Sequence, residues 1–180
     1  MRLPSVLSAL DLPLAELQAA RLDGELFSID GCFSPLDEIE QSHHRGASLA
    51  TSLPGRLIAE QLSAAWVFGA LESPPARHQL CARIDARIRP ASTARIDLRE
   101  VVIDDADIAT IGGMRLTTPL RTVVDLARFA PDFNATHRAI IARLMQFGSF
   151  GPDECRQMLD RRRNLPGKRA ALTRILASCP

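Results

Sequence analysis

The sequence has no tyrosine, one tryptophan and seven phenylalanines. Stacking of bases on aromatic rings, a common route to single-stranded nucleic acid, therefore has little to build on. No apolar run reaches the roughly 18 residues that cross a bilayer, so no membrane partner is expected. Cysteines stand at 32, 81, 155 and 179, with no CxxC and no Cys-His ligand spacing. Scattered reduced thiols fit this pattern better than a disulfide framework. GxSxG, P-loop, GxGxxG and HExxH patterns are all missing, and the expectation is a protein that is not an enzyme and needs no metal or cofactor. The start, MRLPSVLSALDLPLAEL, has one arginine and a short apolar stretch. Asp11 and Glu16 follow at once, without a small-residue cleavage site, so a cytoplasmic location is expected. Only one basic residue is lysine, Lys168; the other 21 are arginine. Codon bias in a GC-rich genome explains that preference as well as any phosphate-binding role does.

What is present is an ordinary globular composition, 46% apolar and 24% charged over 180 residues. That length suits one compact domain, or a short module fused to a main domain. The net charge of +1 hides an uneven distribution. Residues 1–46 carry three arginines against eight acids, net −5, while residues 150–180 reach +4. Such asymmetry hints at an interaction surface near the C-terminal end.

Residues 1–46 read as a truncated winged-helix-like module with a linker, and residues 47–180 as an α/β domain. Pro13 fits the first turn of a helix, and Gly24 offers a C-terminal cap. Leu26 to Ile29, a turn at Asp30-Gly31, then Cys32 and Phe33 predict a hairpin. Glu38 to Arg45 is polar and reads as linker. A helix is expected from about Pro54 to Leu71, on the stripe Leu57, Ile58, Leu62, Ala65, Trp66 and Gly69.

Between 79 and 103 small or apolar residues alternate with charges at period two. If strands 81–89 and 95–99 pair antiparallel about a turn at 90–94, Arg87 faces Asp97 and Asp85 faces Arg99. A further short strand pair is expected around Ile108, Ile111, Met114 and Leu116. Thr118 can cap a helix that opens on Pro119. Helices are expected at about 134–147, 152–163 and 166–178. The fold class is thus α+β: a short winged-helix-like module, then a mixed domain with an antiparallel sheet flanked by helices, and a helical tail.

Four segments occur in a telling order. They are LSAAWVFGA at 62–70, the arginine-rich strand pair, LTTPLRTVVDLA at 116–127, and the tail with Pro166-Gly167-Lys168. Together, over about residues 55–175, they resemble the actinobacterial AbiEi family of type IV antitoxins. The resemblance implies a winged-helix DNA-binding module before an α/β domain, operator DNA and a nucleotidyltransferase-like toxin as partners, and antitoxin and transcriptional-regulator activity. It marks Ser63, Trp66, Thr118, Pro119, Arg121, Thr122 and Asp125 as family-motif positions with a structural role. The charge of residues 1–46 departs from this pattern, because DNA readers neutralise phosphates. Two other readings remain open: an interaction module without DNA binding, or a relative of nuclease-linked proteins lacking the nuclease domain.

Two basic clusters are the candidate DNA- or partner-binding sites. One is the strand face with Arg83, Arg87, Arg89, Arg95 and Arg99, set against Asp85 and Asp97. A nucleic acid or an acidic protein could dock there, or the face could be solvated and laced with weak ion pairs. The other is Arg161, Arg162, Arg163, Lys168 and Arg169, where a helix dipole also favours cations without any partner. Arg121 and Asp125, four apart, can pair on a helix. Ser63 would be a nucleophile only beside a base. His43-His44 has no companion at metal-ligand spacing. Asp104, Asp105 and Asp107 could suggest a magnesium site, but acids are ordinary in a turn.

Overall fold

The computed structural model describes residues 4–85, 94–161 and 165–179. The chain divides into two compact units: Met1–Gly55 with Thr110–Met114, and Arg56–Ala109 with Arg115–Pro180. Among the described residues, no helix is long and apolar enough to cross a membrane.

The first unit begins with helix α1 (Leu14–Leu22), capped by Pro13, with Gly24 just beyond its end at φ +78°. Strands β1 (Leu26–Ile29) and β2 (Cys32–Pro35) form the expected antiparallel hairpin. Its two-residue turn sets Asp30 at φ +43° and Gly31 at φ +82°, the left-handed pair that matches strand twist in a tight hairpin. Leu7 adds one antiparallel bridge to Phe33. Leu7, Leu17 and Phe33 form a small core beneath them.

Residues 42–45, read as part of a linker, instead open helix α2 (Ser42–Ser52). His44 causes this: its side chain is buried, and its Nδ1 accepts the Gln41 N–H at 3.1 Å. A histidine doing the work of a capping residue gives no recognisable start signal. The reason α2 can be enclosed is steric. A Cβ on Gly46 would collide with the Ile111 carbonyl, and one on Gly112 with the His43 carbonyl. The two backbones therefore touch where only glycine fits.

The second unit holds most of a five-stranded sheet in the order β5-β4-β3-β7-β6. Its strands are β3 (Ile58–Ala59), β4 (His78–Arg83), β5 (Ile96–Val101), β6 (Ile108–Ile111) and β7 (Met114–Thr117). The α+β class is as expected, but the sheet is mixed. Pairing of β3 with β4 is antiparallel, whereas β3 with β7 and β4 with β5 are parallel. This overturns the antiparallel register proposed for 81–89 and 95–99. Gln79 lies beside Asp97 and Cys81 beside Arg99, and Arg87 and Arg89 lie outside the described residues. Alternating charges read the same in both directions along a strand, so they cannot choose between parallel and antiparallel. The segment between Arg83 and Ile96 has the dozen residues a parallel crossover needs.

The helix expected at 54–71 is also corrected. Only Gln61–Val67 is helical (α3); Ile58 and Ala59 enter the sheet, and Leu57 just before them is fully buried with them. Short apolar runs are ambiguous between helix and buried strand, and here the two flanking strands decide. Gln61 makes the corner at φ +48°. Helices α4 (Pro119–Phe129), α5 (Ala135–Gly148), α6 (Pro152–Asp160) and α7 (Lys168–Leu176) follow near the expected positions. Packing centres on α4, which meets α3, α5, α6 and α7.

Candidate functional site

The most connected polar cluster of the second unit is organised by the start of α4. Thr118 caps this helix by accepting the Arg121 N–H, and Pro119 fills the first turn. The Thr118 N–H donates to the Asp107 carbonyl at 2.9 Å, tying the helix to the short 3-10 turn Asp105–Asp107. The Thr122 hydroxyl lies 2.7 Å from that of Thr117 and 2.9 Å from the Thr118 carbonyl. These contacts aim Arg121 across the turn.

Arg121 donates from Nε to Asp125 Oδ2 at 2.7 Å, and from a terminal nitrogen to Asp107 Oδ2 at 3.1 Å. Arg161 reaches the other Asp107 oxygen at 3.3 Å, and Arg128 the other Asp125 oxygen at 3.5 Å. Arg128 also donates to the Pro166 carbonyl at 3.3 Å. Asp125 is fully enclosed. Burial pushes its carboxyl up from the ordinary range, and Arg121 pulls it back only in part. Burial works against the Arg121 charge, but Asp125 and Asp107 outweigh it and hold its pKa above normal. Asp104, Asp107, Arg121, Arg128, Met158 and Arg161 line a small open cleft of about 50 Å³.

A second ion pair lies in the same unit. Arg99 of β5 grips both oxygens of Glu60, at 2.7 and 2.6 Å, in the fork geometry only arginine offers. Glu60 is 1% exposed and stands at the start of α3. The Arg99 guanidinium lies 4.0 Å from the centroid of Phe129, and that of Arg128 at 4.4 Å. Phe129 is 39% exposed. Four arginines are thus fixed in direction by three buried carboxylates, and two of them, Arg99 and Arg128, lie against the Phe129 ring. The Arg121 and Arg128 side chains are nearly enclosed, so Arg161 and, in part, Arg99 are the members that can meet an anionic or planar group, with little ordering cost.

The other residues singled out in the sequence are distributed as follows. Arg83 and Arg99 share a face of the sheet by strand parity. Arg83 pairs with Asp105 at 2.6 Å and lies near Asp85. Arg95 is exposed just before β5. Lys168 pairs with Asp160, and Arg169 is exposed on α7. Arg162 and Arg163 lie outside the described residues. The expected Arg121–Asp125 pair is present. Ser63 does meet a base: its Oγ is 3.1 Å from His78 Nδ1, and it accepts the Gln79 N–H at 2.9 Å. Both side chains are buried, with the Trp66 ring 6.2 Å from that of His78. Enclosed this way, the pair fastens α3 to β4.

Of the three acids considered for magnesium, Asp107 has both oxygens occupied by arginines and Asp105 faces Arg83. His44 lies against His43, ring centroids 3.8 Å apart. Sequence reasoning missed Glu60, Arg128 and Phe129 as members of the cluster. Glu60 carried one usable signal, a carboxylate directly after a wholly apolar run.

The sequence model of the AbiEi antitoxin C-terminal domain matches residues 58–170. No curated protein matches the chain. The crystal structure of the RV2827C protein from Mycobacterium tuberculosis is similar in fold, with a TM-score of 0.53 and 17% sequence identity. That match covers 97% of this chain and 72% of that one. The family match spans well over half of the sequence and contains the whole arginine–carboxylate cluster, so this chain belongs to the AbiEi antitoxin C-terminal domain family.

Proposed function

We propose that the chain is an antitoxin-like transcriptional regulator that binds operator DNA, a nucleotidyltransferase-like toxin, or both, and works by binding rather than catalysis. The observation that carries this reading is the set of arginines oriented by Glu60, Asp107 and Asp125 within the family-matched region. Guanidiniums held by buried carboxylates keep their direction without a partner, which suits recognition more than proton transfer. Asp107 spends both oxygens on this task, which removes it from any metal-binding trio. A cytoplasmic location agrees with both partners.

In the first unit, α1 followed by the β1–β2 hairpin has the outline of a recognition helix and wing. Its charge opposes that use. Glu16 and Asp23 stand exposed on or beside α1, with Arg21 the one basic residue of the helix. Phosphate contacts would therefore fall to the second unit. Fluorescence anisotropy with the duplex upstream of the gene and a shuffled duplex tests this. The reading expects preference for the upstream duplex, with affinity falling steeply as salt rises. Equal binding to both duplexes, together with no relief of toxicity on co-expression with a neighbouring toxin gene, would sink it.

A second reading, an interaction module without DNA binding, is favoured by the net −5 of residues 1–46. It expects no DNA binding in that titration but retained relief of toxicity.

A further inference from the structure

From Leu22 to Gln41, through the hairpin of the first unit, the chain carries six carboxylates and no arginine, lysine or histidine. The same stretch exposes large apolar side chains: Leu22 is 77% exposed, Leu36 63% and Ile39 79%. Hydrogen bonds bring their segments together. The Leu36 N–H donates to the Glu25 carbonyl at 2.9 Å, and the Glu25 N–H to the Ala20 carbonyl at 2.9 Å. The end of α1 and the exit of β2 therefore form one end of the unit. Asp23, Glu25 and Asp37 are exposed in these same segments, and among the described residues they have no ion-pair partner. Arg21, just before the stretch, donates from Nε to the Gln18 side chain at 3.2 Å.

Apolar side chains among exposed charges of one sign give the core-and-rim pattern of a protein interface, not of an idle surface. The sign of the rim selects the partner. Carboxylates repel nucleic acid and anionic lipid alike, so the complementary surface is that of a cationic protein. A protein that handles nucleotides must carry cations to hold their phosphates, and a nucleotidyltransferase-like toxin is such a protein.

We infer that the acidic, leucine-bearing end of the first unit docks on a cationic surface of the toxin. Leu22, Leu36 and Ile39 form the apolar centre of the contact, and Asp23, Glu25 and Asp37 its charged rim. Such docking rests on the toxin half of the proposed function and gives it a place on this chain. It uses none of the arginines of the second unit, so it does not depend on DNA binding.

Isothermal titration of the full chain into the purified product of the neighbouring toxin gene tests it, at low and high salt. The expected result is binding that weakens as salt screens the contact. Asp23→Lys with Asp37→Lys should weaken it by at least about tenfold. Leu22→Ser with Ile39→Ser should also weaken it, without altering the charge. Glu72→Lys with Asp132→Lys makes the same charge change at exposed positions of the second unit, and should weaken it far less. Circular dichroism melting confirms that each variant is folded. Lysine at position 23, the α1 cap, is favoured by the helix dipole. A toxin that does not bind the wild-type chain overturns the inference together with the toxin half of the proposed function. Binding indifferent to both first-unit pairs, or weakened equally by the second-unit pair, overturns the inference alone. So does sedimentation velocity showing a wild-type oligomer that the first-unit substitutions dissociate, because the occupant is then a second copy.

Discussion

Arg99 and Glu60 are 39 residues apart in sequence, yet they meet in a two-pronged ion pair at 2.7 and 2.6 Å. The pair joins β5 to the corner where β3 turns into α3. Arg99 is held on its other side by the Phe129 ring. Removing the arginine leaves a carboxylate enclosed without its counter-charge. Arg99→Ala should therefore cost about 3 kcal/mol, within the range for breaking a buried pair. Arg99→Lys should cost less than the alanine variant yet remain destabilised, because an ammonium cannot span both oxygens. Chemical denaturation of the three proteins checks this order.

The Arg121–Asp125 pair makes a prediction with a pH signature. Arg121→Ala strands Asp125 in the core and should cost about 3–5 kcal/mol near neutral pH. Burial already pushes the Asp125 carboxyl up, so Asp125→Asn should be the milder change. In Arg121→Ala the folded state raises this carboxyl further above its unfolded value. A raised carboxyl favours the fold at low pH and loses that contribution as pH rises through the folded value. The deficit of Arg121→Ala against wild type should therefore shrink on acidification. A deficit independent of pH would show that Asp125 is not the stranded group.

His44 predicts the opposite trend in the wild type. Burial lowers its pKa and the neighbouring His43 adds to this, while Glu38 and Glu40 oppose. The unfolded chain then takes up a proton near pH 6.5 that the folded chain refuses. Stability from this site is present above about pH 6.5 and lost as pH falls towards the lowered folded value. Thermal melts should show that loss. It should flatten in His44→Asn, which keeps an acceptor for the Gln41 N–H.

Gly46 tests the close contact within the first unit. A methyl group there meets the Ile111 backbone, which has no flexible side chain to move aside. Gly46→Ala should destabilise by about 1–3 kcal/mol, although alanine is the better helix former. Gly55→Ala, with open space around it, is the control.

Local signals were legible wherever chemistry acts over a few residues. Pro13 and Gly24 bracket α1, Asp30-Gly31 turns the first hairpin, and Thr118-Pro119 starts α4. The Arg121–Asp125 pair follows from helical spacing alone. Arg161 stood out as part of a basic cluster, but its partner Asp107 lies 54 residues away, beyond any local pattern. For the same reason Asp107 read as an ordinary turn acid.

The sequence by itself determined the α+β class, most helix starts, the uneven charge and the family. Each rests on spacing, capping or composition, which a chain carries unfolded. The tertiary structure alone decided that Ile58–Ala59 is a central strand and that β4 and β5 run parallel. It alone made His44 a buried helix-starter and brought Glu60, Asp107 and Asp125 together with their arginines. Those outcomes depend on which distant surfaces exclude water together, and burial of that kind has no signature within a short stretch of chain.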